Sequence, residues 1–292
     1  MKKPFTYGGQ AVIEGVMMRG PEDLAIAVRK PNQEIIIEKK PVNSIVKKLP
    51  FLKWPLVRGV VALFESLIIG VKALSFSANQ SLDEEEEELT TKELVLTIGA
   101  ALGLGVLLFV VAPAALNRLT ANLVSNIYLW NLIEGTIRIS IFLLYVVFIS
   151  RMKDIQRVFQ YHGAEHKVIH AFEAGDELTV ANAQKRSALH PRCGTSFLLI
   201  VMVISIFTFS FLGKQELWLR ILSKLTLMPL VAGISYEVIK YSGCHADSPL
   251  MKVIIAPGLW LQRLTTREPD DSQVEVAIKA LEAVLPEEED MV

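Results

Sequence analysis

Long apolar segments limit what this chain can fold into more strongly than any other feature of its sequence. Residues 94–116 and 127–149 are poor in charge. Each is long enough as a helix, at about 1.5 Å per residue, to cross a hydrocarbon layer roughly 30 Å thick. Two further apolar segments, residues 196–212 and 217–236, are separated by a short connection that suits a tight hairpin. The sequence therefore predicts four transmembrane helices in two hairpins.

The overall composition supports membrane insertion and argues against other classes of protein. Of the 292 residues, 51% are apolar, and the mean hydropathy is +0.39. The formal net charge of -1 lacks the basic excess of a nucleic-acid-binding surface, so we expect no nucleic-acid partner. No apolar stretch follows the two lysines near the start, which argues against a cleavable signal peptide. Two cysteines, Cys193 and Cys244, are too few for a disulfide framework.

Residues 56–78 are apolar but less clearly form a span. Arg58, Glu65 and Lys72 recur every seventh residue and therefore share one face of a helix. That spacing favours an amphipathic helix, interfacial or re-entrant, over a fifth transmembrane helix.

Basic residues near the span ends predict the orientation of the chain. The connections at 117–126 and 213–216 hold one each, whereas the loop between the second and third spans is rich in them. That loop carries Arg151, Lys153, Arg157, Lys167, Lys185, Arg186 and Arg192. We therefore expect a multi-pass protein of the cell inner (plasma) membrane, with this loop and both termini in the cytoplasm.

The N-terminal part alternates β-type runs, at residues 11–16, 24–28 and 34–38, with glycine and proline, which predicts a small sheet. The predicted fold is a mainly α-helical integral membrane protein with four transmembrane helices, an interfacial amphipathic helix and a small N-terminal β-containing cytoplasmic part. The predicted segments are 1–55 (glycine-rich, β-containing), 56–78 (interfacial helix), 79–93 (acidic linker), 94–149 (first transmembrane hairpin), 150–195 (histidine-rich helix and loop), 196–239 (second hairpin) and 240–292 (Cys-His-x-Asp loop, amphipathic helix and acidic tail).

Three of the five histidines lie within the stretch QYHGAEHKVIH, residues 160–170. Residues 151–174 predict a helix, apart from Gly163, that continues directly from the second span. At about 100° per residue, five ligand-type side chains share one face of it. They are His162, Glu165, His166, His170 and Glu173.

The spacing His162-x-x-Glu165-His166 is the inverted zincin arrangement. Imidazoles at i and i+4 can converge on one divalent metal ion, best matched by zinc, while the carboxylate between them acts on water. A third protein ligand must come from elsewhere. Candidates at the same predicted cytoplasmic boundary are His190, Cys193, Glu237, Cys244, His245 and Asp247.

Simpler interpretations remain open for these residues. A lone histidine in a loop is more often a surface or capping residue, although three at i, i+4 and i+8 with interleaved carboxylates favour a metal. The same cluster could instead handle protons without metal, because imidazoles titrate near neutral pH. Taken alone, the two cysteines are most simply reduced thiols.

Two other features could add polar chemistry. The stretch GGQAVIEGVMMRGP, residues 8–21, lacks the order of a phosphate-binding loop, and its glycines suit either close backbone approach or turns. Glu14 and Arg19 within it could complete a polar site. Glu134 and Arg138, at i and i+4 in the second span, could form a polar path or, as we slightly favour, a local pair near the interface. Gly99-x-x-x-Gly103 predicts close helix packing.

Four motifs in order, GGQAVIEGVMMRGP, YHGAEHKVIHAFE, LHPRCGTSF and SGCHADSP, resemble the YqhQ family of bacterial membrane proteins, a domain-of-unknown-function family with relatives in plastids. The resemblance covers nearly the whole chain except the acidic residues 83–88 and the C-terminal tail. It implies a membrane location and a predicted metal-dependent enzyme. The implied metal residues are His162, Glu165 and His166, with His190, Cys193, Cys244 and His245 as companions.

We therefore expect a membrane-embedded metal-dependent enzyme, most simply a hydrolase, acting on a lipid, a peptide or a membrane protein at the cytoplasmic interface. Glu165 would be the general base, and His170 joins the candidate metal ligands. Oligomers are compatible with this expectation. The alternative is a non-catalytic membrane protein that uses the cluster to bind metal or protons for transport, sensing or assembly. A purely structural scaffold would carry no stoichiometric metal.

Overall fold

The computed structural model describes residues 7–42, 44–45, 50–82, 90–244 and 248–286. The strands in these ranges are β1 (Gly8–Val12), β2 (Gly15–Arg19), β3 (Asp23–Arg29) and β4 (Ile35–Pro41). The α-helices are α1 (Val57–Gln80), α2 (Thr91–Val106), α3 (Ala112–Arg118), α4 (Ile127–Ile149), α5 (Lys153–Ala174), α6 (Val180–Gln184), α7 (Gly194–Ser210), α8 (Leu217–Cys244), α9 (Pro249–Thr265) and α10 (Asp271–Glu282). A 3-10 turn at Pro50–Lys53 precedes α1, and a π-helical turn at Leu107–Val111 joins α2 to α3.

The predicted N-terminal sheet is confirmed, but its first strand is not as expected. The four strands pair antiparallel in the order β1-β2-β3-β4. The run 11–16 is not one strand, because it contains the turn between β1 and β2, where Glu14 takes a φ of 51°. The run 24–28 lies inside β3, and 34–38 overlaps the start of β4.

Both faces of the sheet are covered, which explains its apolar strands. Val16 and Ala27 belong to a core shared with α5 and α10. Met17 and Ile26 belong to a second core with Ala73 of α1. Successive residues of a strand point to opposite faces, so a sheet buried on both sides needs continuous apolar runs. The sheet thus joins α1 to the helix that carries the histidines.

Within the described residues, four helical segments are long and apolar enough to cross a membrane: Val57–Gln80, Lys92–Arg118, Ile127–Ile149 and Leu217–Tyr241. The last three contain predicted spans. The other predicted span, 196–212, corresponds to α7, which has 17 residues and is the shorter apolar helix. Its length of about 25 Å falls short of a 30 Å hydrocarbon layer, whereas α1 is long enough.

The contacts of α1 place both of its ends on one side of the helix bundle. Near its start, Gly59 packs on Tyr236 near the end of α8. Near its other end, the Ser77 hydroxyl accepts a hydrogen bond from the Ile13 backbone N–H at 3.2 Å. The sheet lies beside α5, and α8 returns towards the same side because it pairs with α7 as a hairpin. Such contacts suit a helix that lies along the end of the bundle.

Two details of the predicted spans are wrong. A Cβ built on Gly99 or Gly103 meets nothing within 4 Å, so in the described part of the chain no helix packs closely there. Helix α5 does not continue directly from α4, because residues 150–152 interrupt the two helices, and Gly163 lies inside α5.

Glu134 and Arg138 pair as predicted, with 3.1 Å between Oε1 and Nη2. Both side chains are buried, and Arg220 and Lys224 of α8 contact the same carboxylate. The local pair that we favoured is therefore part of a buried cluster that joins α4 to α8.

Candidate metal centre

The orientation of α5 follows from its apolar face. Tyr161, Ala164 and Val168 are fully buried in the core formed with the sheet and α10. Because that face of the helix is fixed by packing, His162 and His166 face the segment before α7 instead. Helix α5 ends where Gly175 takes a left-handed φ of 78°.

Main-chain carbonyls hold the rings of His162 and His166 from behind. Nδ1 of His162 lies 2.8 Å from the carbonyl oxygen of Thr265, and Nδ1 of His166 lies 2.6 Å from that of Ala188. A carbonyl oxygen only accepts, so Nδ1 donates in each neutral ring and Nε2 keeps its lone pair. A hydrogen bond of this kind fixes the tautomer of metal-binding histidines.

Cys193 brings a sulfur atom to the same place. It is the N-cap residue of α7, where its Sγ accepts a hydrogen bond from the Thr195 backbone N–H at 3.4 Å. Its Sγ lies 3.1 Å from Nε2 of His162. One potential ligand atom from each of His162, His166 and Cys193 lies within 4.8 Å of the others. Of the described candidates for a third ligand, Cys193 is the one that joins the histidine pair.

Glu165 is enclosed beneath β1. The Gly9 backbone N–H donates a hydrogen bond to its carboxylate. A Cβ on Gly9 would lie 2.9 Å from Cγ of Glu165 and 2.7 Å from the carbonyl oxygen of Met17. The predicted close backbone approach of the glycine-rich stretch is thus confirmed at this position. Burial raises the pKa of Glu165, against the opposing effects of His162 and the Gly9 N–H.

Burial favours the neutral forms of His166, His190 and Cys193 when no cation is bound. It lowers the pKa of His166 to about 2, with His162 adding to the effect, and lowers the pKa of His190 to about 4. Burial, together with Glu165, raises the pKa of Cys193 to about 11. Neutral imidazoles are ready to bind a cation, whereas the thiol must lose its proton when a cation arrives.

A second group of ligand-type side chains, His170, Glu173 and His190, lies further along α5. Nε2 of His170 lies 3.0 Å from the Leu189 carbonyl oxygen. Nδ1 of His190 accepts from the Arg192 backbone N–H at 3.3 Å, so its Nε2 carries the proton and faces Glu173 at 3.5 Å. Glu173 also pairs with the Arg192 side chain. This group fits an ion-pair network better than a metal site.

Gly163 lets the chain after α9 approach α5. A Cβ at this position would lie 2.0 Å from the Arg267 carbonyl oxygen, and the Arg267 N–H donates to the Phe159 carbonyl at 2.9 Å. This contact lies two residues from Thr265, whose carbonyl holds His162. Gly163 therefore allows the segment that bonds His162 to pack against α5.

A pocket of about 400 Å³ opens between β1, α5 and residues 190–195. His162, Glu165, His166 and Cys193 all line it. The candidate ligands and the buried carboxylate therefore face a common space, large enough for a small ligand or one end of a longer one.

The remaining predicted site residues either lie away from this pocket or fall outside the residues that the structure describes. The side chain of Cys244, and all of His245 and Asp247, lie outside the described residues. Glu237 pairs with Arg58 of α1 and does not line the pocket.

The predicted contribution of Glu14 and Arg19 is wrong, because neither lines the pocket. Glu14 pairs with Arg157 and accepts a hydrogen bond from the Tyr161 hydroxyl at 3.3 Å.

Sequence reasoning missed the main-chain groups of the site. The carbonyls of Thr265 and Ala188 carry no residue-type signal, and both lie far along the chain from the histidines that they hold. The Gly9 N–H had a signal in the paired glycines of residues 8–9, but nothing in the sequence linked it to Glu165.

The donor set fits zinc. Neutral imidazole nitrogen and cysteine sulfur are ligands that zinc prefers, at about 2.0–2.3 Å. A spread within 4.8 Å is close to what such a shell requires. Glu165 lines the same pocket but is not a member of that set, which matches the separate role predicted for it. The metal itself stays a prediction.

Comparisons with known proteins identify the family. Residues 54–287 match the family described as "Protein of unknown function (DUF1385)", and this match includes the acidic residues 83–88 that we expected to fall outside. The chain is 39% identical over 302 residues to "Uncharacterized protein YqhQ" of Bacillus subtilis (strain 168). The aligned region covers 97% of this chain and 93% of that protein. No solved structure matches the chain. As the four sequence motifs predicted, the protein belongs to the YqhQ family, DUF1385.

Proposed function

We propose that this protein is a membrane-bound, metal-dependent hydrolase whose site lies at the cytoplasmic boundary of the membrane. The observation that carries the proposal is the meeting of His162, His166 and Cys193 in one pocket with buried Glu165. Three ligands of the types that zinc prefers, beside a carboxylate outside the ligand set, are the parts of a hydrolytic zinc site.

Each side chain has a distinct part in this proposal. His162, His166 and Cys193 would hold the ion, and the main-chain carbonyls behind the imidazoles keep them in the binding tautomer. The bound ion supplies Lewis acidity and a water activated near neutral pH. Glu165 accepts a proton from the attacking water at its carboxylate and returns it to the leaving group. The Gly9 N–H orients that carboxylate.

The membrane location rests on the apolar helices and on α1. We propose that α2–α3, α4 and α8 cross the membrane and that α1 lies in the interface beside the site. We propose that α7 also crosses, because it packs between α4 and α8, and that its 17 residues are extended by the apolar residues that follow it. Phe64, Leu67 and Ile68 of α1 are exposed, as suits a helix that inserts into the headgroup boundary. The basic loop between α4 and α7 favours the cytoplasm for this side and for both termini. A lipid or membrane-embedded peptide would then reach the pocket directly from the bilayer.

Substitution of Glu165 by Gln tests the catalytic role. Detergent-purified wild type and Glu165→Gln are compared for zinc content and for hydrolysis of phospholipid, ester and membrane-peptide reporters. We expect equal metal content and an activity loss of at least about 100-fold, because the amide cannot take a proton. Full activity in the variant contradicts the role of base, and parallel loss of metal would make Glu165 a ligand or structural residue instead.

The contact between Cys193 and His162 favours a second candidate, a thiol hydrolase without metal. Nε2 of His162 can take the thiol proton as the sulfur attacks an acyl carbon, while Thr265 orients the ring through Nδ1. Chelation separates the candidates. The metal enzyme loses activity in chelator and regains it with zinc, whereas the thiol enzyme is unaffected by chelator and is inactivated by iodoacetamide.

A further inference from the structure

A second pocket, of about 380 Å³, lies at the other end of the bundle from the metal centre. It is formed by the end of α3, the start of α4 and the turn between α7 and α8. Helix α4 has 23 residues and leads away from this pocket towards α5, so the two pockets are separated by about 35 Å along it. The hydrolase proposed above does not use this second pocket.

Three cationic side chains line the pocket: Arg118, Lys214 and Arg220. Arg118 is balanced at the exposed rim by Glu216, at 3.0 Å. Lys214 instead donates to the carbonyl oxygens of Ala121 and Val124, at 2.9 and 2.8 Å. Both of these partners are neutral. An ammonium group has three donors, so these bonds leave one donor and the positive charge available.

Arg220 connects the pocket to the buried cluster behind it. Arg138, Arg220 and Lys224 all contact the carboxylate of Glu134, and each of the four residues is at most 5% exposed. Among the described ion pairs, Glu134 is the one carboxylate in contact with these three cations. Three cations facing one anion leave a formal excess of two positive charges, and buried charge of one sign is costly unless it is balanced.

The surroundings of the pocket suit the level of lipid headgroups. The guanidinium of Arg220 lies 4.2 Å from the ring centroid of Trp130, and Nζ of Lys214 lies 5.7 Å from the same ring. Nearby Leu123 and Phe211 are more than 80% exposed. Exposed apolar side chains beside an aromatic ring and cations are typical of the boundary between hydrocarbon and water.

We propose that this pocket binds a phosphate group, which Lys214 recognises and whose charge offsets that of Arg220 and of the buried cluster. The Nε and Nη2 groups of Arg220 already bond Glu134 and Asn131, and its Nη1 bonds the Gly213 carbonyl at 3.2 Å, so Arg220 offers the remaining Nη1 proton. Guanidinium and ammonium groups are the usual phosphate ligands of proteins. A volume of about 380 Å³ is more than ten times the roughly 30 Å³ share of one water, so it holds more than a bare halide. The phosphate belongs either to the headgroup of an anionic lipid or to free inorganic phosphate.

Lipid and phosphate titrations of the full-length protein in detergent test this site. The protein is stripped of lipid and titrated with phosphatidylglycerol or with phosphatidylcholine of the same chains, followed by native mass spectrometry. Separate samples receive inorganic phosphate, with the melting temperature as readout. Lys214→Gln removes an exposed cation and spares the buried cluster, and Lys153→Gln removes an exposed lysine at the start of α5.

For a lipid-headgroup site, we expect at least about tenfold preference for phosphatidylglycerol, lowered about tenfold by Lys214→Gln and unchanged by Lys153→Gln. A site for free phosphate gives no lipid preference but a rise in melting temperature that Lys214→Gln reduces. Equal binding of both lipids together with no response to phosphate overturns the proposal. So does an effect of Lys214→Gln no larger than that of Lys153→Gln.

Discussion

The candidate metal centre and the second pocket, here called the cationic pocket, lie at opposite ends of α4 and have opposite electrostatic character. At the candidate metal centre, burial favours the neutral form of His166, and backbone carbonyls bind the Nδ1 atoms of His162 and His166, so their Nε2 lone pairs face the pocket. In the buried cluster behind the cationic pocket, Arg138, Arg220 and Lys224 share the single carboxylate of Glu134. Burial of polar groups therefore does not by itself specify a ligand. A buried group that stays neutral and offers a lone pair favours a bound cation, whereas a buried group that stays positively charged favours a bound anion.

The largest effect on stability is expected in the buried cluster behind the cationic pocket. Glu134→Gln leaves three buried cations without a counter-charge, so we expect the free energy of unfolding to fall by about 3–5 kcal/mol. The measurement is the fraction of folded protein during thermal unfolding in detergent.

Glu216→Gln is the matched control for this substitution. It removes the exposed partner of Arg118, and exposed pairs contribute only about 0–1 kcal/mol. Equal effects of the two substitutions would contradict the view that the buried cluster depends on one carboxylate.

An intermediate effect is expected at Gly163, on the metal-centre side of the comparison. The methyl group of Gly163→Ala would collide with the Arg267 carbonyl, so we expect a loss of about 1–3 kcal/mol and weaker zinc binding, because the Thr265 carbonyl shifts away from His162. Zinc affinity and melting temperature are measured together. Gly99→Ala, at a position with open space around it, should change neither, and a similar loss in both variants would refute the packing explanation.

Near neutral pH, the smallest effect is the pH dependence of the metal-free protein, which grows as the solution is made more acidic. The pKa values of His166 and His190 in the folded protein, about 2 and about 4, lie below the ordinary value near 6.5. Below pH 6.5 the unfolded chain therefore binds more protons at these histidines than the folded protein does. Their contribution to stability is complete above pH 6.5 and is lost as the pH falls towards 4, by up to about 1.4 kcal/mol per histidine per pH unit. Melting temperatures of chelator-treated protein should therefore decrease below pH 6.5.

His190→Gln tests the source of this dependence. Between pH 6.5 and 4, the free energy of unfolding of the variant should depend less steeply on pH, by about the contribution of one histidine, because glutamine does not titrate. An unchanged slope would show that other groups cause the acid sensitivity.

Residue type and periodicity predicted the parts of this molecule that depend on local spacing. Residues 127–149 form α4, and His162, Glu165 and His166 share one face of α5, because helical geometry alone fixes those relations. Periodicity failed where a turn broke an apolar run, as at Glu14 between β1 and β2. Val12 and Val16, on either side of this turn, are both fully buried, so the apolar residues flanking Glu14 did not mark the turn.

Long-range contacts account for most of what the sequence did not predict. Cys193 was one of several candidate third ligands, and only its contact with His162, from the N-cap position of α7, distinguishes it from Glu237. Arg220 and Lys224 were hidden within an apolar span, with no local spacing to link them to Glu134. The periodicity of one helix does not reveal which residues of another helix form ion pairs with it.

The metal content of the purified protein tests the central claim most directly. Wild type, His166→Ala and His170→Ala are purified in detergent without added metal, and zinc is quantified by elemental analysis. We predict about one zinc per wild-type chain, less than about a tenth of that in His166→Ala, and wild-type content in His170→Ala, whose ring bonds the Leu189 carbonyl. Wild-type protein without stoichiometric metal even after incubation with zinc, or equal metal in wild type and His166→Ala, would contradict the metal centre.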